Sequence, residues 1–500
     1  MACSKYNLTN TGSTIVNFSY RRCDDSMWDY QVELLPNQSK NIWLIDDTYT
    51  VAPSFKSVIT LVDDGPFPPI DATNTPTPSN SPTPSVTATQ TPTPTETLAE
   101  TVAETPTPTP TLTPWDFCYS LNGGFNEQPE DAKEDSSGKI VMVGRFTTYR
   151  GQSFNRIVRL NSDASIDNTF NIGSGFNNGV ASLAIQPDGK ILVGGVFTSY
   201  NGTPANGIIR LNSNGTVDNS FNSGTGFNET VWEIYLQSDN KILVGGSFTQ
   251  YNGNSYNRVI RLNPDGSVDN SFTIGSGFNG VVYTFSELSG GTIMAVGAFT
   301  SYSGATNNRI VRLNSNGTID NTFNSGSGFD DDVYSIIVDD SGKMVVVGGF
   351  SEYNGILSNR IVRLNNDGTI DNTFNSGSGF LRTSGLAYVL SVFENSGKYY
   401  VVGDFNTYEG EVANGLIRLN NNGSIDNTFN TGTGLVYGSG SDNLGTLLSN
   451  GVFLVYGELT QYQDFEVNDL VFINPFGTLL NCPYSTPTPT TTPTPTVTPT

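Results

Sequence analysis

The stretch Gly189-Lys-Ile-Leu-Val-Gly-Gly-Val-Phe-Thr-Ser-Tyr200 decides how this chain is read. Counterparts begin at Gly138, Asn240, Gly291, Gly342, Gly397 and Gly451, so the motif occurs seven times. A second motif, typified by Ile310-Val-Arg-Leu-Asn314, places arginine at 159, 210, 261, 312 and 363 at intervals of 51 residues, and at 418 after a further 55. The seventh copy reads Val471-Phe-Ile-Asn474, with Phe472 at the arginine position. Within one unit, Val180–Ile185, Lys190–Val193, Ile208–Leu211 and Thr216–Phe221 read as four strands separated by Asp-Gly and Asn-Gly turns. Four strands in 40–50 residues is the period of a propeller blade. The expected fold is all-β, a seven-bladed propeller over residues 115–484.

The last turn of each unit fixes a register. In Arg312-Leu-Asn-Ser-Asn-Gly-Thr-Ile-Asp320, a three-residue loop with Gly317 in the left-handed position sets Arg312 opposite Asp320. The same offset of eight gives Arg159/Asp167, Arg210/Asp218, Arg261/Asp269, Arg363/Asp371 and Arg418/Asp426. In the seventh unit both members change together, to Phe472 and Leu480. A partly buried ion pair requires this, because either charge alone would be left without its partner. These pairs are structural.

The repeat is flanked by different textures. Residues 1–66 read as a small, aromatic-rich, β-sandwich-like module with strand-like runs at 15–20, 31–35 and 58–62. Residues 67–114 repeat Thr-Pro, which cannot form a core and stays extended at about 3.1 Å per residue. The same texture returns at 485–500 as a tail or further spacer.

Composition narrows the function. Lys and Arg number 24 against 47 Asp and Glu, for a net charge of −23, which excludes a uniform basic footprint for nucleic acid or anionic lipid. Histidine is absent, and with it Ser-His-Asp and Cys-His catalysis and imidazole metal sites. No apolar run is long enough for a spanning helix, and the start MACSKYNLTN reads unlike a secretory signal. Neither a cofactor nor a metal is expected. The Asn263–Asp269 and Asn365–Asp371 loops lack the ligand count of a calcium loop, and the Gly-Ser-Gly-Phe strings precede no helix that would cradle phosphate.

The units Gly-Lys-Ile-Leu-Val-Gly-Gly…Arg-Leu-Asn…Val-Asp-Asn-Ser-Phe resemble the delta-60 repeat, a β-propeller family, over about 370 residues of the chain. The resemblance implies a fold and carries no catalytic residue. The succession of small β module, Thr-Pro spacer and propeller resembles structural proteins of marine bacteriophage virions.

Trp115–Phe125 matches the fourth-strand motif Ile319–Phe329 once more than seven units need, so this segment is expected to latch the first unit to the last. Cys118 and Cys482 share one motif position and are a candidate disulfide across that latch. Cys3 and Cys23 flank a turn centred on Ser13 and are a second candidate pair, the alternative being four free thiols.

Tyr149, Tyr200, Tyr251, Tyr302, Tyr353, Tyr408 and Tyr462 recur in the loop between the second and third strands and form a candidate ligand-contacting rim, for which glycan is the expected ligand; the plainer reading is packing on a neighbouring blade. The repeat breaks at Glu130–Asp135, Asp330–Asp332, Leu381–Ser384 and Tyr437–Asp442. The chain is therefore expected to be a non-enzymatic virion structural or tail-fibre protein. It would bind other virion proteins through its N-terminal module and a host-surface glycan or protein through its propeller. Alternatives are a carbohydrate-active propeller enzyme and a cell-surface or secreted bacterial repeat protein. The expected location is the virion, outside the cell after lysis.

Overall fold

The computed structural model describes residues 124–437 and 444–480, together with the backbone of five strands nearer the N-terminus. The chain divides into two compact units, residues 1–106 and 107–500. In the first, Cys3–Asn10 runs antiparallel between Ser39–Ile45 and Ile59–Pro66, and Val16–Arg21 pairs with Trp28–Leu34. The hairpin expected to join Cys3 to Cys23 is therefore not formed: the first strand pairs with the fourth and fifth, and Cys3 stands in register with Ile45. Cys23, Cys118 and Cys482 lie outside the described residues.

The described part of the second unit is all-β, built from repeated propeller-like blades, each a three-stranded antiparallel sheet. In the second repeat, the inner strand Val180–Ile185 pairs with Ile191–Gly195, which pairs with the outer strand Ile208–Leu211. Among the described residues seven three-stranded sheets of this strand order follow one another, ending with Leu444–Leu447, Phe453–Tyr456 and Leu470–Ile473. The middle strands are buried on both faces, so Ile191-Leu-Val-Gly-Gly195 carries no polar side chain. Glycine is required at 195 by close approach, since a Cβ there would lie 2.5 Å from the Gly179 carbonyl oxygen. The inner strand bulges at this level, one residue after Val180.

The expected fourth strand is reduced to one bridge per unit, Leu211 to Val217 in the second. The reason lies in the aspartate that follows. Asp218 turns one carboxylate oxygen onto the Ser220 amide and hydroxyl, at 3.0 and 2.7 Å, and this local turn ends the pairing. The turn before it is as expected: Gly317 has φ +85°, and the Asp320 amide donates to the Arg312 carbonyl at 2.9 Å.

The core lies between sheets. One apolar cluster joins Val141, Val143 and Ile157 of the first sheet to Ile191, Val193 and Ile209 of the second. The opposite side of the first middle strand, Ile140 and Met142, packs with Leu454, Tyr456 and Phe472 of the seventh sheet. Inner strands of successive sheets contact one another, and the seventh contacts the first. The Phe125 amide donates to the Asn468 carbonyl at 3.4 Å, the bond that Phe176 and Phe227 make to Asn155 and Asn206 at 3.1 and 3.0 Å. Residues 115–123 of the expected latch lie outside the described residues.

Candidate functional site

The seven repeated tyrosines are in the core rather than on a rim open to ligand. Each is exposed by no more than 1%. The Phe176 ring lies 4.5 Å from both the Tyr200 and the Phe197 rings, and the Tyr200 hydroxyl donates to the Gly215 carbonyl at 2.6 Å. Tyr251, Tyr302, Tyr353 and Tyr408 repeat that bond to Gly266, Gly317, Gly368 and Gly423 at 2.6–2.8 Å. Tyr149 reaches Ala164 at 3.0 Å, and Tyr462 reaches Gly477. Burial pushes the Tyr149 hydroxyl up to about 12 and the other six further still. An aromatic ring with one buried polar end met by a carbonyl is a packing device. A ligand at the surface meets none of these rings.

The six arginine–aspartate pairs stand at 2.7–2.8 Å. Each arginine also donates to a carbonyl in the corresponding turn of the next unit, as Arg261 does to Ser315 at 2.6 Å and Arg418 to Pro475 at 2.5 Å. A lysine from the second strand joins five of the pairs, Lys241 reaching Asp269 at 2.8 Å. Burial alone would raise Asp426, but hydrogen bonds from Thr428 and Arg418 outweigh it and hold the carboxyl down to about 2. This chemistry is spent on joining sheets.

The Gly-Ser-Gly-Phe turns are also internally satisfied. The Ser174 and Ser327 amides donate to Asn201 and Asn354, so no free amide cradle remains there. Asp330 takes a place held by asparagine in earlier units: it accepts from the Ser351 and Glu352 amides at 2.9 Å, as Asn177 does from Thr198 and Ser199. Asp331 and Asp332 are left over.

What escapes the repeat gathers at the bulges that open the inner strands. The bulged residue is Trp232 in the third unit, Tyr283 in the fourth and Tyr334 in the fifth, all half-buried. A bulge re-aims its side chain out of the sheet's alternation. Tyr283 and Tyr334 lie 5.5 Å apart between ring centroids, and Tyr388 of the sixth unit continues the row at 6.2 Å from Tyr334. Trp232 Nε1 donates to Ser247 Oγ at 2.9 Å. Asp331 is exposed, and Asp332 stands 3.8 Å from Arg309 Nε. Burial and the Asp331 charge raise the Asp332 carboxyl. The sequence marked the acids as a break in the repeat but missed the aromatic row, whose only signal was Trp232, Tyr283 and Tyr334 at the 51-residue interval.

A second polar group lines the inner strands. Asp131 accepts from the Leu183 amide at 2.9 Å and from Lys133 at 2.5 Å. Glu233, at the equivalent register in the third unit, has the Ser182 and Thr284 hydroxyls at 3.5 Å on either side. Burial pushes Glu233 up to about 7, with Lys133 opposing. Among the described residues no three His, Cys, Asp or Glu side chains converge on a metal position.

Six segments, residues 136–170, 186–221, 237–272, 289–323, 340–374 and 394–429, match one family model, described as a domain of unknown function (DUF5122) β-propeller. The repeats are those of a β-propeller family. The matches stop before the seventh unit, where Phe472 replaces the arginine. No curated protein matches the chain. Similar solved structures include the WD40 β-propeller domain of Doa1, at 16% identity over 67% of this chain and 91% of that one, with a TM-score of 0.41. PorZ, a surface component of the type-IX secretion system of Porphyromonas gingivalis, matches at 13% identity over 72% of this chain and 56% of that one, with a TM-score of 0.36. A gluconolactonase of Xanthomonas campestris matches at 14% identity over 56% of this chain and 84% of that one, with a TM-score of 0.32.

Proposed function

We propose that this chain is a non-enzymatic binding protein whose repeats form a closed seven-bladed propeller. Its role is that of a virion or tail-fibre component exposed after lysis, attached to other virion proteins through residues 1–66. The ligand is a host-surface glycan, taken at the row Trp232, Tyr283, Tyr334 and Tyr388. One observation carries this reading. The repeated side chains are consumed in packing and pairing, whereas this row crosses four successive units half-exposed beside the exposed carboxylate of Asp331. Aromatic faces take the C–H faces of a sugar, and a carboxylate accepts its hydroxyls.

A glycan array probed with the whole chain and with a Trp232→Ala/Tyr283→Ala variant tests it. Binding by the whole chain that the variant loses supports the reading; binding unchanged in a folded variant overturns the site. The second reading, a carbohydrate-active enzyme, is favoured by the carboxyl of Glu233, which burial raises, at the register that Asp131 holds in the first unit. Hydrolysis of any glycan that Glu233→Gln abolishes would establish it. Flanking genes that encode capsid or tail proteins support the virion role over a bacterial cell-surface or secreted one.

A further inference from the structure

The loops expected to form the rim are two-residue hairpins, equivalent from unit to unit, and their surfaces differ sharply along the chain. In the first four units the outward strand is Gln152–Ser153, Thr203–Pro204, Asn254–Ser255 and Ala305–Thr306, polar or small throughout. In the last three it is Ile356–Leu357, Glu411–Val412 and Phe465–Glu466. Leu357 is 68% exposed, Val412 71% and Phe465 50%. In the sixth and seventh units a further short strand joins the hairpin and adds Leu381 and Val436, also exposed. Leu381 and Val412 flank Thr407 in one row across the sheet.

Eight of the nine large apolar side chains exposed among the described residues fall in the last three units, six of them on these hairpins and the strands that join them and the other two being Leu386 and Phe476. Scattered exposed apolar side chains need no explanation, but a concentration on three consecutive repeats does. The charges beside them are of one sign. Glu352, Glu411, Asp464 and Glu466 are exposed on these hairpins. The single nearby arginine on the same segments, Arg382, is paired with Asp404.

We infer that the hairpins of the fifth to seventh units are a docking surface for a protein segment carrying aliphatic or aromatic side chains flanked by lysine or arginine. The apolar side chains supply the buried centre and the acids the complementary rim. A second copy of this chain fits poorly, because it would bring the same carboxylates face to face. The inference rests on reading the propeller as a binding module, and it places a protein partner on the two-residue hairpins rather than on the inner strands that carry the aromatic row.

The test uses the full chain and three synthetic amphipathic peptides of equal length: Leu/Lys, Leu/Glu, and a Ser/Lys peptide with the charge of the first. Titration calorimetry should give binding of Leu/Lys alone, weakened about tenfold or more in Val412→Ser/Phe465→Ser. Glu411→Lys/Glu466→Lys should lose Leu/Lys and gain Leu/Glu. Equal binding of Ser/Lys and Leu/Lys, or binding indifferent to Val412→Ser/Phe465→Ser, would reduce the surface to unspecific charge attraction and overturn the inference. Concentration-dependent dimerisation abolished by Phe465→Ser would overturn it in favour of a self-contact. Because Val412 and Phe465 are absent from the aromatic row, glycan binding by the same variants separates failure here from failure of the proposed function.

Discussion

Six of the joints between successive sheets carry a buried arginine, and the joint that closes the array carries a phenylalanine. Arg261 is held by Asp269 and reaches the turn of the next unit, so charge is satisfied on every side. At the closing joint Phe472 packs with Leu480, Ala164 and Met142. That joint is not weaker by default, for it keeps the polar links of the others. Ser449 donates its amide and hydroxyl to Glu134, as Ser238 does to Glu287, and Thr446 Oγ1 donates to the Ala132 carbonyl at 2.7 Å. The difference teaches that the ion pair is one of two interchangeable fillings, provided both members change together. Desolvating a pair costs about what its attraction returns, whereas one buried charge alone is expensive.

Breaking this comparison gives the largest expected effect. Arg261→Ala leaves Asp269 without its arginine and should cost about 3–5 kcal/mol in urea or thermal unfolding. Arg261→Phe combined with Asp269→Leu transplants the closing joint and should recover most of that loss. Phe472→Arg alone should be as damaging, with Leu480→Asp rescuing it. If the double variants are no better than the singles, the two fillings are not equivalent.

A smaller effect is expected at the tyrosines. Tyr251→Phe keeps the ring but leaves the Gly266 carbonyl unpaired, at about 1–3 kcal/mol, and it should leave glycan binding unchanged. At the closing joint Thr446→Val should cost about 0.5–1.5 kcal/mol, and hydrogen exchange should then release the Phe125 amide before its equivalent, Phe176.

Titration sharpens the contrast by pH. Asp426, in a sixth-unit pair, is held down to about 2, so its contribution is present above the ordinary carboxylate range and disappears as pH falls through 2. Asp469, in the seventh unit, is pushed up to about 7 by burial and then by Glu458. The folded chain therefore keeps a proton there that the unfolded chain has lost, and stability falls as pH rises from about 4 through 7. Asp469→Asn should remove that decline in thermal melts between pH 4 and 8 while leaving the acid limb unchanged. A decline that persists in the variant would assign it to another group, Glu233 first.

Much of the architecture was legible because it is local. Asn-Gly and Asp-Gly turns, one buried middle strand per unit and an Arg-to-Asp offset of eight all follow from pairing between strands a few residues apart. The fourth strand misled because Asp218 and its counterparts carry strand-like neighbours yet use one oxygen to cap a turn. Tyr200 misled because a loop tyrosine reads as exposed, while its burial depends on Phe176, which arrives from the preceding unit.

By itself, then, the sequence determined the period, the strand order within a repeat and the obligatory pairing of buried charges, since each depends on contacts made inside one repeat. Tertiary structure alone decided which aromatic rings are buried and which acid replaces an asparagine cap. It also decided that bulges one repeat apart set Trp232, Tyr283 and Tyr334 at matching places on neighbouring sheets. Those outcomes depend on residues roughly twenty to fifty positions away, brought together only when the chain has folded beyond a single hairpin.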